Sequence, residues 1–188
     1  MTDTVMVTKK YLRSLSRIRL SKFLANNFSN LIGGQVFTVG KTFLTTTIQF
    51  ITKKYAKGDF CPCHVGQIIN IGSRLFVVNV IPPKVDYTEL MDYILQTEED
   101  FRIIFRGENF KLDTPRYSYE VSNLVGQNYG YFSALQSGIK GISWIPNRKI
   151  HCSESAVKFL QNQGYFKGVK ADDCTPVEVY YKMLNGDL

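Results

Sequence analysis

Two apolar runs separated by Gly72-Ser73 constrain the fold of this 188-residue chain more than any other feature of its sequence. The runs span residues 65–71 and 74–80. A glycine-containing dipeptide between two such runs is typical of a two-residue turn in which the glycine adopts a positive φ. The sequence therefore predicts a β-hairpin closed by these two residues.

The turn fixes which residues of the hairpin face one another. With a two-residue loop, Ile71 pairs with Arg74, and counting back along both strands sets Gly66 opposite Asn79. Because side chains alternate along a strand, His64 and Asn79 are then diagonal neighbours on one face. A polar amide inside an apolar run is costly unless it has a partner. We therefore expect an imidazole–carboxamide hydrogen bond, with room for it above Gly66; the alternative is a structural Asn79 that binds the backbone.

The rest of the chain mixes strands and helices without an evident linker. Apolar periodicity predicts further strands at 35–39 and 101–106, and helices at about 9–23, 42–57, 86–96, 114–135, 152–164 and from 176 onwards. The spacing of Asp86 and Glu89 resembles a capping box, and Thr175 with Glu178 forms another. The predicted fold class is α+β.

Composition limits the class of protein. The chain has 188 residues, of which 44% are hydrophobic. It is therefore long enough and apolar enough to fold as a globular domain without a disulfide or metal. The four cysteines, with no signal-peptide pattern at the start, indicate free thiols in a reducing compartment. The expected location is the cytoplasm of the producing cell, and no stretch approaches the ~20 apolar residues of a transmembrane helix.

A basic segment occupies residues 1–32, ahead of the main domain predicted at 33–188. It is predicted to form an amphipathic helix that carries six of the cations behind the net charge of +7. These residues are Lys9, Lys10, Arg13, Arg17, Arg19 and Lys22. Two interpretations stay open: a solvated helix packed on the domain, or a docking arm for an anionic partner such as cell-wall polymer, lipid headgroups or nucleic acid.

Cys152 stands at the predicted start of an apolar-faced helix. Free N–H groups and the helix dipole stabilise an anion there, so we expect a lowered thiol pKa and an oxyanion donor in the Cys152 N–H. The alternative is a small buried cysteine with no chemical role.

Several short motifs resemble the circularly permuted branch of the NlpC/P60 papain-like superfamily, which includes YiiX-like bacterial proteins and viral relatives. The resemblance covers about residues 33–184 and depends on GQVF at 34–37, IQFIT at 48–52, CHVGQII at 63–69, CSESAV at 152–157 and TPVE at 175–178. It implies a small antiparallel sheet or barrel packed against helices, with the catalytic cysteine at a helix N-terminus.

The resemblance also implies roles for individual residues. Cys152 would be the nucleophile, His64 its base, and Asn79 the residue that orients the imidazole. Three positions depart from the family pattern: Gln35 replaces the usual Asp, Cys63 the usual Ser, and Asn79 the frequent Glu. The resulting Cys-His-Asn set is the one that papain uses in another chain order.

The implied activity is a cysteine hydrolase, a thiol peptidase or amidase that cleaves an amide, peptide or isopeptide bond through a thioester. Cell-wall peptide or protein is the first substrate class and a lipid acyl group the second. A different interpretation is a non-enzymatic papain-like scaffold that serves as a virion component or adaptor, since the composition and the viral relatives favour a phage or virus origin. Zinc binding by Cys61, Cys63, His64, His151 and Cys152 is less favoured, because Cys-x-Cys is unusual spacing for zinc; no cofactor is expected.

Overall fold

The computed structural model describes residues 4–81, 83–107, 111–129 and 150–187, without the side chains of Phe43 and Leu44. Within these ranges the chain is an α+β fold in which six strands form one antiparallel sheet, accompanied by eight helices. The strands are β1 Thr4–Thr8, β2 Gln35–Val39, β3 His64–Ile71, β4 Arg74–Asn79, β5 Asp86–Glu89 and β6 Asp100–Arg106. The helices are α1 Lys9–Ser14, α2 Arg17–Asn26, α3 Phe28–Leu31, α4 Phe43–Thr52, α5 Leu90–Gln96, α6 Thr114–Ser122, α7 Cys152–Asn162 and α8 Pro176–Asn185.

The sheet has the strand order β1-β6-β2-β3-β4-β5, with β2 and β3 near its centre. Consecutive residues Ile68 and Ile69 of β3 are both fully buried, which means that both faces of this strand are covered. Helices α6 and α7 pack against β3. The backbone of β3 is therefore held in place by packing on both of its faces, and so are the positions from which its side chains project.

The predicted hairpin is confirmed residue by residue. Ile71 pairs with Arg74 and Gly66 with Asn79. Gly72, the first loop residue, has φ of 60°, the positive value that two-residue hairpin turns require at this position.

Helix ends were also predictable from local signals. The Thr175 hydroxyl accepts from the Glu178 N–H while the Glu178 carboxylate accepts from the Thr175 N–H, which completes the capping box at the start of α8. The predicted helix at 42–57 is shorter than expected, because α4 ends at Thr52 and continues only as a 3-10 turn, Lys53–Tyr55.

The predicted helix start at Asp86 is wrong. Residues 86–89 form β5, which pairs with β4 from Phe76 to Asn79, and the helix begins only at Leu90. The Asp86 carboxylate accepts from the adjacent Tyr87 N–H instead of capping a helix. A free edge on β4 thus outweighed the local capping pattern.

The single basic helix predicted near the N-terminus is also wrong. The chain first forms β1, which pairs with β6, and then two helices that break at Leu15, with Ser16 capping the second. Leu12 and Leu20 are fully buried, so both helices pack on the body of the fold.

Two of the cations assigned to a docking arm hydrogen-bond to backbone carbonyl groups of the protein itself. The guanidinium of Arg13 donates to the carbonyl oxygens of Ile94 and Leu95 at the end of α5, and Lys9 Nζ donates to those of Glu98 and Glu99, at 2.8 to 3.1 Å. Cations at a helix C-terminus stabilise its free carbonyl groups. Binding of an anionic partner by this segment stays a prediction for the exposed Lys10, Arg17, Arg19 and Lys22.

The helix predicted at 114–135 ends early. It stops at Ser122, and Gly126 has φ of 85°, which a continuing helix cannot accommodate. Residues 130–149 lie outside the described ranges. Among the described residues, no helix has the length and apolarity needed to cross a bilayer.

Candidate active site

His64 and Asn79 meet at the open end of the hairpin, as the turn geometry predicted. His64 Nε2 lies 3.3 Å from Asn79 Oδ1, and each side chain is only 8% exposed. An amide oxygen only accepts, so Nε2 carries the hydrogen when this bond forms. The other ring nitrogen, Nδ1, is then left with its lone pair, which is the protonation state that a general base needs.

Burial determines the charge state of this imidazole. Removal from water lowers the pKa of His64 to about 4, although the hydrogen bond to Asn79 opposes the shift. The ring is therefore neutral at pH 7.

Gly66 leaves the space that the Asn79 amide occupies. A Cβ at Gly66 would lie 2.7 Å from Cγ1 of Val77 and 2.8 Å from Oδ1 of Asn79. We expect Gly66→Ala to lower the free energy of unfolding by about 1–3 kcal/mol, the usual cost of overpacking a buried site. Urea unfolding would measure it. Gly58→Ala is the matched control, since a Cβ there meets only the Tyr181 hydroxyl at 3.3 Å; equal losses in both variants would contradict a steric role for Gly66.

Cys152 is the first residue of α7, as predicted, and is 2% exposed. The backbone of Val65 and Ser153 and the side chain of Tyr129 are close enough to its thiol to lower the pKa of that group. Val65 is the neighbour of His64 in β3. The expected nucleophile and base are 88 residues apart in the sequence. In the structure, the thiol of Cys152 is near Val65 of β3, and His64 is the residue before Val65.

The pairing between β3 and β4 ends next to Val65. The β3–β4 ladder stops at the Gly66–Asn79 pair, so Val65 lies just beyond it. The Cys152 thiol is close enough to the backbone of Val65 for that backbone to lower the thiol pKa. Direct contact between the thiol and the imidazole stays a prediction.

The expected lowering of the thiol pKa at the helix terminus is wrong. Burial is the largest influence and raises the pKa of Cys152, while the hydrogen bonds to Val65, Ser153 and Tyr129 only partly offset it. Since burial favours the neutral thiol, any attack by sulfur must include proton transfer to a base.

A buried hydrogen-bond chain ties α7 to β3 from the other side. Gln67 Nε2 donates to Ser155 Oγ at 2.8 Å, and Ser155 Oγ donates to the Cys152 carbonyl oxygen at 2.8 Å. Alternation along β3 places Gln67 on the face opposite His64. The helix therefore packs against the face of β3 opposite His64, which restricts where the thiol can lie.

The same chain continues to residues that the family pattern marked. The Tyr117 hydroxyl donates to Gln67 Oε1, and Gln35 Nε2 donates to the Tyr117 oxygen, both at 3.2 Å. Gln35 thus has a structural role in the described residues, in line with the expectation that its difference from Asp concerns local structure.

Tyr129 is the site residue that sequence reasoning missed. It was assigned to a helix that the chain does not form. Residues 126–129 instead run beside the segment after β4: the Tyr129 N–H donates to the Pro83 carbonyl, and Lys84 forms a bridge with Asn128. No signal in the sequence singled out Tyr129, whose burial is visible only in the structure.

The neighbouring thiols and histidine have separate partners. Cys63 Sγ lies 3.1 Å from the Gly40 N–H, and burial raises the pKa of this thiol to about 11. His151 Nδ1 lies 3.1 Å from the Glu154 carboxylate. Within the described ranges, no three His, Cys, Asp or Glu side chains are grouped so that they could hold a metal ion.

Comparison of the sequence with known proteins finds no matching family model and no matching curated protein. The function of the chain is therefore inferred from the geometry of this site and from the sequence resemblance described above.

Proposed function

We propose that the protein is a cysteine hydrolase with a permuted papain-like fold, in which Cys152 is the nucleophile, His64 the base and Asn79 the residue that orients the imidazole. One observation carries the proposal: Cys152 begins a helix, and its thiol is close enough to the backbone of Val65 for that backbone to lower the thiol pKa, while the preceding residue, His64, hydrogen-bonds to Asn79. This is the set of groups that nucleophilic thiol catalysis requires.

The reaction follows from the protonation states. Sγ of Cys152 attacks the carbonyl carbon while its proton passes to Nδ1 of His64, and the new C–S bond gives a tetrahedral oxyanion. The Cys152 N–H donates to that oxyanion. The imidazolium then protonates the leaving amine, which yields a thioester, and water hydrolyses the thioester with His64 again as base. Tyr129, which hydrogen-bonds the thiol, favours the thiolate form.

The substrate class proposed is an amide of the peptide or isopeptide type, in cell-wall peptide or protein. An amine leaving group needs protonation, and the imidazolium that forms when His64 accepts the thiol proton can supply it. Lipid acyl esters need the same nucleophile and are the second substrate class.

The burial of the site favours a second candidate function. Cys152 is only 2% exposed. An enclosed thiol of this kind is expected of a papain-like scaffold that has kept the site residues but does not turn over a substrate. Such a protein would act as a virion component or adaptor.

Acylation of the thiol separates the two candidates. We expect the purified chain to release about one equivalent of p-nitrophenolate from p-nitrophenyl acetate and then to turn over slowly, the burst that an acyl-enzyme produces. Mass spectrometry of the quenched protein should place the acetyl group on Cys152, and Cys152→Ala should show no burst. Acetylation of Cys61 or Cys174 alone would count against catalysis, and a stable acetyl-Cys152 without turnover would support the scaffold.

A further inference from the structure

The most exposed aromatic side chain among the described residues lies on α4. Phe50 is 84% exposed, although α4 has no charged residue and is the most apolar helix there. Its opposite side is anchored: Ile48 and Thr52 are buried, and Gln49 Nε2 donates to the Gly40 carbonyl. The ring is thus held outward by a well-packed helix.

Lysines extend this exposed ring into a cationic stripe. Positions four apart share a helix face, so Thr46 and Phe50 form one exposed line that Lys53 and Lys54 continue. Lys57 is exposed in the segment that follows. We call these five residues the Phe50 surface.

We propose that the Phe50 surface docks on an anionic phospholipid bilayer. An aromatic ring flanked by lysines is the pattern of a segment that lies in the headgroup layer, where the ring enters the apolar boundary and each lysine binds anionic headgroups. The net charge of +7 adds long-range attraction to such a surface. This docking is independent of the proposed hydrolase activity.

Other partners fit this surface less well. A single-stranded nucleic acid stacks on aromatic residues inside a positive groove. The exposed Phe50 ring instead lies beside a groove whose charged residues are Lys53, Asp59 and Asp100 and which is therefore not positive. In a two-fold dimer the lysine stripe would face its own copy, which like charges oppose. The basic α2 is the nearest rival, since Ile18 is 71% exposed between Arg17 and Arg19.

Vesicle sedimentation with the full chain tests the proposal. We expect binding to phosphatidylcholine vesicles that contain about 30% phosphatidylserine, weaker binding to pure phosphatidylcholine, and loss of binding as salt rises. Phe50→Ser should lower the partition coefficient about tenfold or more, as expected for removal of a buried phenyl ring. Lys53→Gln and Lys54→Gln should each lower it roughly fivefold.

Two matched variants distinguish the Phe50 surface from α2 and from the thiol site. Ile18→Ser changes a similarly exposed apolar side chain in the basic α2 and should bind like the unchanged protein. Cys152→Ala should also bind vesicles normally. Vesicle binding would therefore stand even if the hydrolase proposal failed. The proposal is overturned if the chain does not bind anionic vesicles, or if Ile18→Ser abolishes vesicle binding while Phe50→Ser does not. It is also overturned if Phe50→Ser instead abolishes dimer formation or oligonucleotide binding. Circular dichroism of each variant would verify folding.

Discussion

His64→Ala should slow acylation of Cys152 by about 100-fold or more at pH 7, because a positioned general base contributes 10²–10⁴-fold. The effect is large because burial raises the pKa of the thiol, so little thiolate exists without the imidazole. The rate constant of the p-nitrophenolate burst measures it, and mass spectrometry of quenched samples verifies that Cys152 is the acylated residue.

Two companion variants make this result specific. His64→Gln keeps an amide that can donate to Asn79 Oδ1 but has no basic nitrogen, so it should be as slow as His64→Ala while staying folded. Asn79→Ala should be milder, since the imidazole remains but loses the bond that orients it. If His64→Gln acylates at the normal rate, His64 is not the base, whatever Cys152 does.

The half of the site on the hairpin was predictable because one local feature determines it. A two-residue turn at Gly72 sets the register, the register sets Asn79 opposite Gly66, and alternation then brings His64 beside the amide. The start of α8 was predictable for the same reason, since a capping box spans only four residues.

Several of the errors involve partners distant in sequence. β1 pairs with β6, about a hundred residues away in the sequence, and the β-branched residues of Thr4–Thr8 were not recognised as a strand without that partner. β5 forms because β4 offers an edge, which no property of Asp86 reveals. Tyr129 reaches Cys152 only because residues 126–129 run beside the segment that leaves β4.

The sign of the thiol shift was unpredictable for a related reason. A helix start is visible in the sequence, and by itself it stabilises a thiolate. The burial of Cys152 depends on β3, on Tyr129 and on the packing of the whole domain, and it outweighs the helix terminus. A pKa expected from one element can therefore have the wrong direction when tertiary burial is the larger effect.

As the pH falls, this protein should begin to lose stability at a higher pH than protonation of its carboxylates alone would produce. The pKa of His64 is about 4 in the folded chain, against an ordinary value of 6.5, so the unfolded chain binds the extra proton between these values. Stability from this group is complete above pH 6.5 and is lost as pH falls toward 4, by roughly 1.4 kcal/mol per pH unit and about 3 kcal/mol in total.

The pH window identifies His64 as the cause. Hydrogen bonds from His151 and Lys158 overcome the effect of burial and hold the pKa of Glu154 at about 2, so its contribution is lost only below its ordinary 4.5. Urea unfolding of the unchanged chain and of His64→Gln at several pH values between 7 and 4 would separate the two groups. As the pH falls from 7 to 4, the unchanged chain should lose about 3 kcal/mol more unfolding free energy than His64→Gln, because the glutamine binds no proton. A constant difference across this range would mean that His64 takes up its proton in the folded state as easily as in the unfolded one, and that the imidazole is not enclosed at the end of the hairpin.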